Sequence, residues 1–436
     1  MRARTVVPLA LAQFVCSFAG SNMNVMINDI STDLGTTVHG VQVTITLFLL
    51  VMAALMIPGG KLTDRYGRKR CLLVGLAVYG VGAVVSAIAP GIGVLAFGNS
   101  ILEGVGTALL IPPVYVLATV LFHDLTSRAR AFGAIMAMGG IGAAAGPLIG
   151  GLITSVLSWR AAFAFQALVV LLIILLTRRL RDPLPANPDQ PFDTRGAALS
   201  AAGLTLVIVA ILAAGTNWTV AIGLFVAGCA VLLLFFLSLR TAREPLVSLA
   251  LFRDRVINLG LLTQHVQWLV LMGISFVVAA YLQVVRGHNA VETGLFLTPA
   301  TIGLLITSLS AQRFARNRSQ RSLIIAGFAF TLAGIGLLLC SSAVMGLFLI
   351  GIGVGTMLTP SVNIVQSRGG PNKGEISGVS RSVSNLGSAT GTAIAGTILA
   401  THPGEASYTT ALTTLAAACL IGLAAALLLP RTSIST

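Results

Sequence analysis

Charge is what this chain has least of. Of its 436 residues, 9% are charged and 56% hydrophobic, and the mean hydropathy is +0.94. Soluble domains average about 25% charged residues, so a soluble fold of this length is excluded. Cysteines with a paired spacing are missing as well. Cys16, Cys71, Cys229, Cys340 and Cys419 are scattered, four of them within apolar runs. They read as buried thiols, which excludes a disulfide framework or a cysteine metal site. There is no GxxxxGK[ST] loop, so ATP is not the energy source. There is no HExxH or CxxC either, and His123, His288 and His402 fall in loops or at helix ends without ligand spacing. No enzyme chemistry, cofactor or metal is expected. The basic start, Met1 to Arg4, resembles a signal peptide, but the run after it is long and polar-dotted, with no convincing small-residue cleavage site. It reads as a retained first helix.

What is present is a succession of apolar runs. A membrane helix needs about 20 such residues, roughly 30 with its loop, which leaves room for about fourteen. The runs fall near 7–28, 41–59, 71–89, 92–121, 131–154, 159–177, 197–214, 220–239, 256–282, 293–310, 322–340, 343–366, 377–400 and 408–430. An even number puts both termini on one side. The 27 basic residues against 13 acidic ones would suggest nucleic acid on a soluble chain. Here the positive-inside rule is the better account. With the N-terminus inside, only Arg160 and Arg286 lie in outer loops, and the other 25 of 27 lie on the cytoplasmic side or at its edge. The expectation is a multi-pass protein of the inner membrane, both termini cytoplasmic, with the bilayer and not nucleic acid as its partner.

The stretch from 178 to 256 decides between twelve and fourteen spans. It opens on a polar linker whose prolines, Pro183, Pro185, Pro188 and Pro191, argue against helix. Two apolar runs follow, joined by AGTNWT around Asn217 and Trp218. Each is long enough to cross, and a pair of crossings keeps the later basic loops inside. The expected layout is six helices in 1–178, a cytoplasmic linker in 179–196, two inserted helices in 197–239 and six helices in 240–436. Weak repeats join the two sets of six. GKLTDRYGRKR follows run two and AQRFARNRSQR follows run ten; GAAAGPLIGG in run five matches GSATGTAIAG in run thirteen. Parallel repeats of this kind suit a two-bundle alternating-access transporter.

The loop Gly60–Arg70 resembles that of the major facilitator superfamily. GxLxDRxGRK is met by Gly60, Leu62, Asp64, Arg65, Gly67, Arg68 and Lys69; GxxxGPxxGG is met by Gly142, Gly146, Pro147, Gly150 and Gly151. The second pattern is similar to a signature typical of the superfamily's antiporters. With the six-two-six layout it points to the fourteen-span drug:proton antiporters. FDTRG opening run seven, PLVSLALFRDR before run nine and YLQVVRGHNAVETGLFLTP from Tyr281 to Pro299 also look like that group. The resemblance implies an all-α integral membrane protein of the major facilitator fold with 14 transmembrane helices arranged 6 + 2 + 6. Physically, Asp64 among its arginines can latch two bundles in one state and release them in another. The glycines of run five, four apart, admit a neighbouring backbone, and Pro147 adds a bend.

Of thirteen acids, twelve map to loops or helix ends. The exception is Glu103 in run four. A carboxyl at membrane depth is costly and is a proton-coupling candidate by default. The family's usual acid in helix one and arginine in helix four are absent, with Ala19 and Ser100 in their places. Glu103, three residues from Ser100, would share its helix face. His265, beside Gln264, Gln267 and Trp268, is the second titratable candidate. Asn22, Asn24, Asn28, Asn99, Gln264, Trp268 and Arg381 are candidates for a substrate cavity, with Asn24 and Asn28 on one face. Arg381 stands one turn closer to the cytoplasm than the family's usual arginine, where this chain has Ser384. It is expected to contact an anionic substrate or, preferably, to snorkel to the inner surface.

The leading expectation is a monomeric secondary transporter that exports a lipophilic, neutral or cationic small molecule in exchange for protons, with the proton gradient as its energy source. Dedicated export of one endogenous metabolite, antibiotic or lipid, uptake, and a transport-dead sensor or scaffold are the alternatives.

Overall fold

Backbone groups in lipid must pair within their own segment, which leaves the α-helix for runs this apolar. The computed structural model describes residues 2–122, 125–178, 180, 182, 192–214, 217–242, 245–249, 251–340, 342–368, 373–401 and 404–430. Within these, the side chains at 2–4, 64, 125–126, 128–130, 132–133, 136, 144, 308–317, 373–375, 377 and 401 are not described. The described residues contain helices and no strand, and each of the fourteen apolar runs corresponds to one long helix. These are α1 (Arg2–Asn22), α2 (Val38–Tyr66), α3 (Arg68–Ala87), α4 (Ile92–Leu121), α5 (Leu125–Val156), α6 (Trp159–Thr177) and α7 (Thr194–Ala213). They continue with α8 (Trp218–Thr241), α9 (Arg255–Val285), α10 (Ala290–Asn317), α11 (Gln320–Leu339), α12 (Ala343–Gln366), α13 (Lys373–Thr401) and α14 (Glu405–Leu428). Twelve are long and apolar enough to cross a membrane, and α5 taken as one bent span makes thirteen. The run of Ser, Thr and Gly in α13 dilutes its apolar content.

Short polar side chains set where the helices start. Thr37 accepts from the Gly40 amide at 3.1 Å, Ser158 from Ala161 at 3.3 Å, Asn217 from Val220 at 3.1 Å and Ser319 from Ser322 at 3.2 Å. Asp193, in the FDTRG motif, caps α7 through the Gly196 amide at 2.7 Å and also accepts from the Leu246 amide at 3.3 Å. It thereby joins the FDTRG and PLVSL segments. Asp254 caps α9 through Val256 at 2.7 Å. Asn289 and Glu292 form a reciprocal capping box at 2.9 Å each way, which opens α10. The linker prolines and Asp189 lie outside the described residues.

The packing repeats. In the first six helices α1 lies on α5 and α6, α4 on α2 and α3, and α3 on α6; in the last six α9 lies on α13 and α14, α12 on α10 and α11, and α11 on α14. The two halves meet along two seams, α2 with α13 and α5 with α10, and these seams exchange when the halves are interchanged. α7 packs on α8 and also against both α2 and α13. α8 is peripheral: 17% of its most apolar stretch is buried, against 72% for α1. Phe225, Val226, Leu233 and Leu234 point outward from it, as lipid-facing residues do. Cys16, Cys71 and Cys419 are buried thiols as expected, but Cys229 and Cys340 are exposed, because a surface that faces lipid gives an apolar thiol no reason to be covered.

Candidate functional site

The loop between α2 and α3 turns on Gly67, whose φ of +93° suits glycine. The first amides of α3 need acceptors, and Asp182 supplies them: its Oδ2 accepts from the Arg68 amide at 2.9 Å and from Lys69 at 3.2 Å. Lys69 Nζ donates to the Arg178 carbonyl at 3.0 Å, and the Arg65 guanidinium lies 5.5 Å from the centre of the Tyr66 ring. A Cβ on Gly60 would lie 3.8 Å from Pro112 Cβ of α4, an ordinary contact. These described contacts hold the loop within the first half, against the end of α6. The expected latch residue, Asp64, has its side chain outside the described residues. Asp182 was not foreseen; the acid just after RRLR was the available signal.

The glycines of α5 lie against α1. A Cβ on Gly142 would come to 2.4 Å from the Phe14 carbonyl oxygen, one on Gly146 to 3.3 Å from the Phe18 carbonyl, and one on Gly150 to 3.0 Å from Asn22 Cβ. The matching stretch of α13 lies on α9 in the same way: a Cβ on Gly387 would come to 2.2 Å from the His265 carbonyl oxygen, and one on Gly391 to 2.1 Å from that of Leu269. The last glycine of each motif serves a seam. A Cβ on Gly151 would come to 2.4 Å from the Ala290 carbonyl oxygen of α10, and one on Gly396 to 2.2 Å from the Gln42 side chain of α2. The Pro147 carbonyl adds to the first seam by lying 2.6 Å from where a Gly294 Cβ would be. Gln42 Nε2 adds to the second by donating to the Ala393 carbonyl at 3.2 Å. The small residues thus act twice, once within each half and once between the halves.

Glu103 is fully buried, at the end of a π-helical stretch, Ala96–Glu103. Ser86 Oγ of α3 lies 3.4 Å from its Oε1 and Asn99 Nδ2 3.4 Å from its Oε2. Ser100 faces elsewhere: its Oγ donates to the Thr44 carbonyl of α2 at 2.7 Å. The expectation that Ser100 and Glu103 share a face is therefore corrected. Wider π-turns advance less per residue, so residues four apart line up and residues three apart diverge. Asn99 is the true neighbour, and its Oδ1 has no hydrogen-bond partner.

Comparison of the halves shows the origin of the π-turn. A Cβ on Gly82 would come to 2.7 Å from the Gly98 carbonyl and 2.8 Å from the Glu103 nitrogen. On Gly334 it would come to 2.6 Å from the Gly346 carbonyl and 2.9 Å from the Ile350 nitrogen. The stretch 98–103 fills the place of 346–350 with one residue more. At the next matching contacts, Gly106 with Tyr79 and Gly353 with Thr331, the offset persists. Leu338 and Ile350 stand where the first half has Ser86 and Glu103, so the acid site is unique to the first half. Tyr79, beneath it, donates to Gln166 Oε1 of α6.

The other expected residues separate. His265 Nδ1 lies 3.3 Å from the Val383 carbonyl, at the α9–α13 contact. Gln264 donates to the Ser361 carbonyl at 2.8 Å and accepts from Ser380 at 2.5 Å, inside the second half; Trp268 is half-buried. Asn22 is buried with both amide atoms unpartnered. Asn24 and Asn28 do not share a face. Helix α1 ends at Asn22, a 3-10 turn follows over Met23–Val25, and a short helix restarts at Ile27, which leaves Asn24 buried and Asn28 exposed. The break serves Gln283 of α9, whose Nε2 donates to the Asn24 carbonyl at 2.8 Å and whose Oε1 accepts from the Asn28 amide at 3.1 Å. Arg381 neither snorkels nor waits alone for an anion. Its guanidinium reaches across to α4, donates to the Tyr115 hydroxyl and lies 5.1 Å from the centre of that ring. Gln283, Tyr115 and Gln13 were not foreseen, because neutral polar residues in apolar runs carry no sequence signal of their partners. The two arginines expected in outer loops pair with acids: Arg160 with Asp33, and Arg286 with Glu405 at 3.3 Å. Hydrogen bonds from Arg160 and then Trp159 hold the Asp33 carboxyl below the usual carboxylate range.

The model of the Major Facilitator Superfamily matches residues 9–392. Over 407 residues the chain is 29% identical to the puromycin resistance protein pur8 of Streptomyces alboniger, covering 90% of this chain and 81% of that protein. It is 27% identical over 409 residues to the multidrug resistance protein Stp of Mycobacterium tuberculosis, covering 91% and 75%. To the cephamycin export protein CmcT of Amycolatopsis lactamdurans it is 29% identical over 425 residues, covering 91% and 87%. Its fold is like that of a crystal structure of the peptide transporter POT in complex with sulfate, with TM-score 0.71, 19% identity and coverage of 98% and 95%. The chain belongs to the Major Facilitator Superfamily, and is a multi-span helical protein of the cell membrane, a transporter and not an enzyme.

Proposed function

We propose that the protein exports lipophilic or cationic small molecules in exchange for protons, by alternating access between two six-helix bundles. All fourteen long helices cross the bilayer, α7 and α8 as an inserted pair, with both termini cytoplasmic. The duplicated packing and its two exchanging seams support the two-bundle reading, and the distribution of Lys and Arg supports the orientation. The observation that carries proton exchange is Glu103: one carboxyl buried among hydroxyl and amide groups, at a π-turn without a counterpart at the matching place in α12. The proton gradient is the energy source, no cofactor takes part, and the protein works as a monomer in the bilayer. Export of one dedicated compound is the second reading, favoured by the likeness to a cephamycin export protein.

Glu103→Gln keeps the shape and a neutral hydrogen-bonding group but cannot titrate. Proteoliposomes carrying it should still bind a lipophilic dye and still exchange it downhill. Concentrative efflux under an imposed pH gradient should fall at least tenfold and lose its pH dependence. Concentrative efflux at the wild-type rate would remove Glu103 from coupling.

A further inference from the structure

Arg381 lies eight residues into α13, about 12 Å from its start, and Tyr115 six residues before the end of α4, about 9 Å. Both belong to the half of the bundle nearer the basic loops, and they come from opposite halves of the molecule. The Tyr115 ring carries the Arg381 guanidinium on its face, its hydroxyl accepts from that guanidinium, and the same hydroxyl donates to Gln13 Oε1 at 2.9 Å. Gln13 Nε2 in turn donates to Ser17 at 3.1 Å, which fixes the amide. Tyr115 and Gln13 thus form a cup that holds a flat, delocalised cation. Among the described residues no carboxylate pairs with Arg381, so the ring and one hydroxyl are what retain it. Such a hold is modest, and another cation with a broader apolar body could exchange with it.

We infer that this cup is a binding subsite for an organic cation of delocalised charge, and that Arg381 is its built-in competitor. The proposal rests on the reading above that the chain moves lipophilic compounds. When the halves part at the basic face, α13 draws Arg381 off the ring and a substrate cation takes its place. When they close, Arg381 returns and displaces that cation. Two positive charges cannot share one ring face, so occupancy by one expels the other.

The test uses full-length protein in nanodiscs, with ethidium fluorescence as the probe and tetraphenylphosphonium as competitor. Arg381→Gln vacates the ring, and ethidium should bind about tenfold more tightly, a loss of competition on the scale of one cation–π contact. Tyr115→Leu should weaken binding about tenfold whether or not Arg381 is present, while Tyr115→Phe keeps most of it. Tyr115→Trp should tighten binding, which gives a readout if the leucine variant fails to fold. Weaker or unchanged ethidium binding in Arg381→Gln overturns the proposal, as does insensitivity to Tyr115→Trp. Efflux of a neutral lipophile under a pH gradient separates the two readings. Wild-type efflux with no effect of these variants on ethidium removes the subsite alone. The expected binding shifts without any efflux remove the transport reading and leave the subsite standing.

Discussion

A single methyl group separates two kinds of glycine in α5. On Gly142 it would meet the main-chain carbonyl of Phe14 at 2.4 Å, and no rotamer can relieve that; around Gly140 there is nothing within 4 Å. Gly142→Ala should therefore lower stability by about 1–3 kcal/mol, the usual cost of overpacking, whereas Gly140→Ala should be neutral. Thermal unfolding of the two variants in one detergent checks the contrast, and equal midpoints would refute it. At this scale the sequence was informative about Gly142, Gly146 and Gly150 because spacing of four is a geometric statement about one helix face. It misdirected Arg381, which was expected at the inner surface or on an anion and lies instead on the Tyr115 ring. A charged residue one turn inside a helix has several places to go, and the ring that receives it lies 266 residues away in the chain.

Among the elements, α4 departs furthest from expectation. Its extra residue between Gly98 and Glu103 widens the helix locally and sets Asn99 beside the acid. Ile101 lies in that stretch, 40% exposed and facing outward. Deleting Ile101 should restore plain α-helical turns and the register seen in α12 while the fold is retained. Circular dichroism and the unfolding midpoint should change little; Glu103 stays at the place of Ile350, beside Ser86, but Asn99, now three residues before it, turns away, and concentrative transport should fall. Undiminished pumping by the deletion variant would separate the π-turn from coupling. Sequence periodicity located α4 to within its ends, as it did the other long helices, because an apolar run of this length in lipid has one conformational solution. It gave no notice of the π-turn or of the break after Asn22, since both depend on what the neighbouring helix presents.

For the whole molecule, the two seams are where the halves meet. Gln42 of α2 packs on Gly396 of α13 near the face opposite the basic loops. With the five native cysteines replaced, Gln42→Cys with Gly396→Cys should allow a cross-link between these positions. The oxidised protein should transport at a small fraction of its reduced rate, and reductant should restore it. Unimpaired transport with the cross-link formed would show that this seam stays closed throughout the cycle. The repeat of loops and small-residue stretches made two related halves legible in the sequence. The seams were not legible, because Gly151 and Gly396 look like any other close-packing glycine until the opposite half is in place.

The two seams also differ in their surroundings. α7 lies against both α2 and α13, so protein backs that crossing from the outside; among the described residues nothing comparable covers α5 and α10. The pseudo-symmetric machine is thus set asymmetrically in its solvent. Acyl chains lap directly against one crossing and are held away from the other. A change in bilayer thickness or fluidity acts on the two crossings unequally, and a solute dissolved in the membrane meets a bare joint on one flank and a walled one on the other.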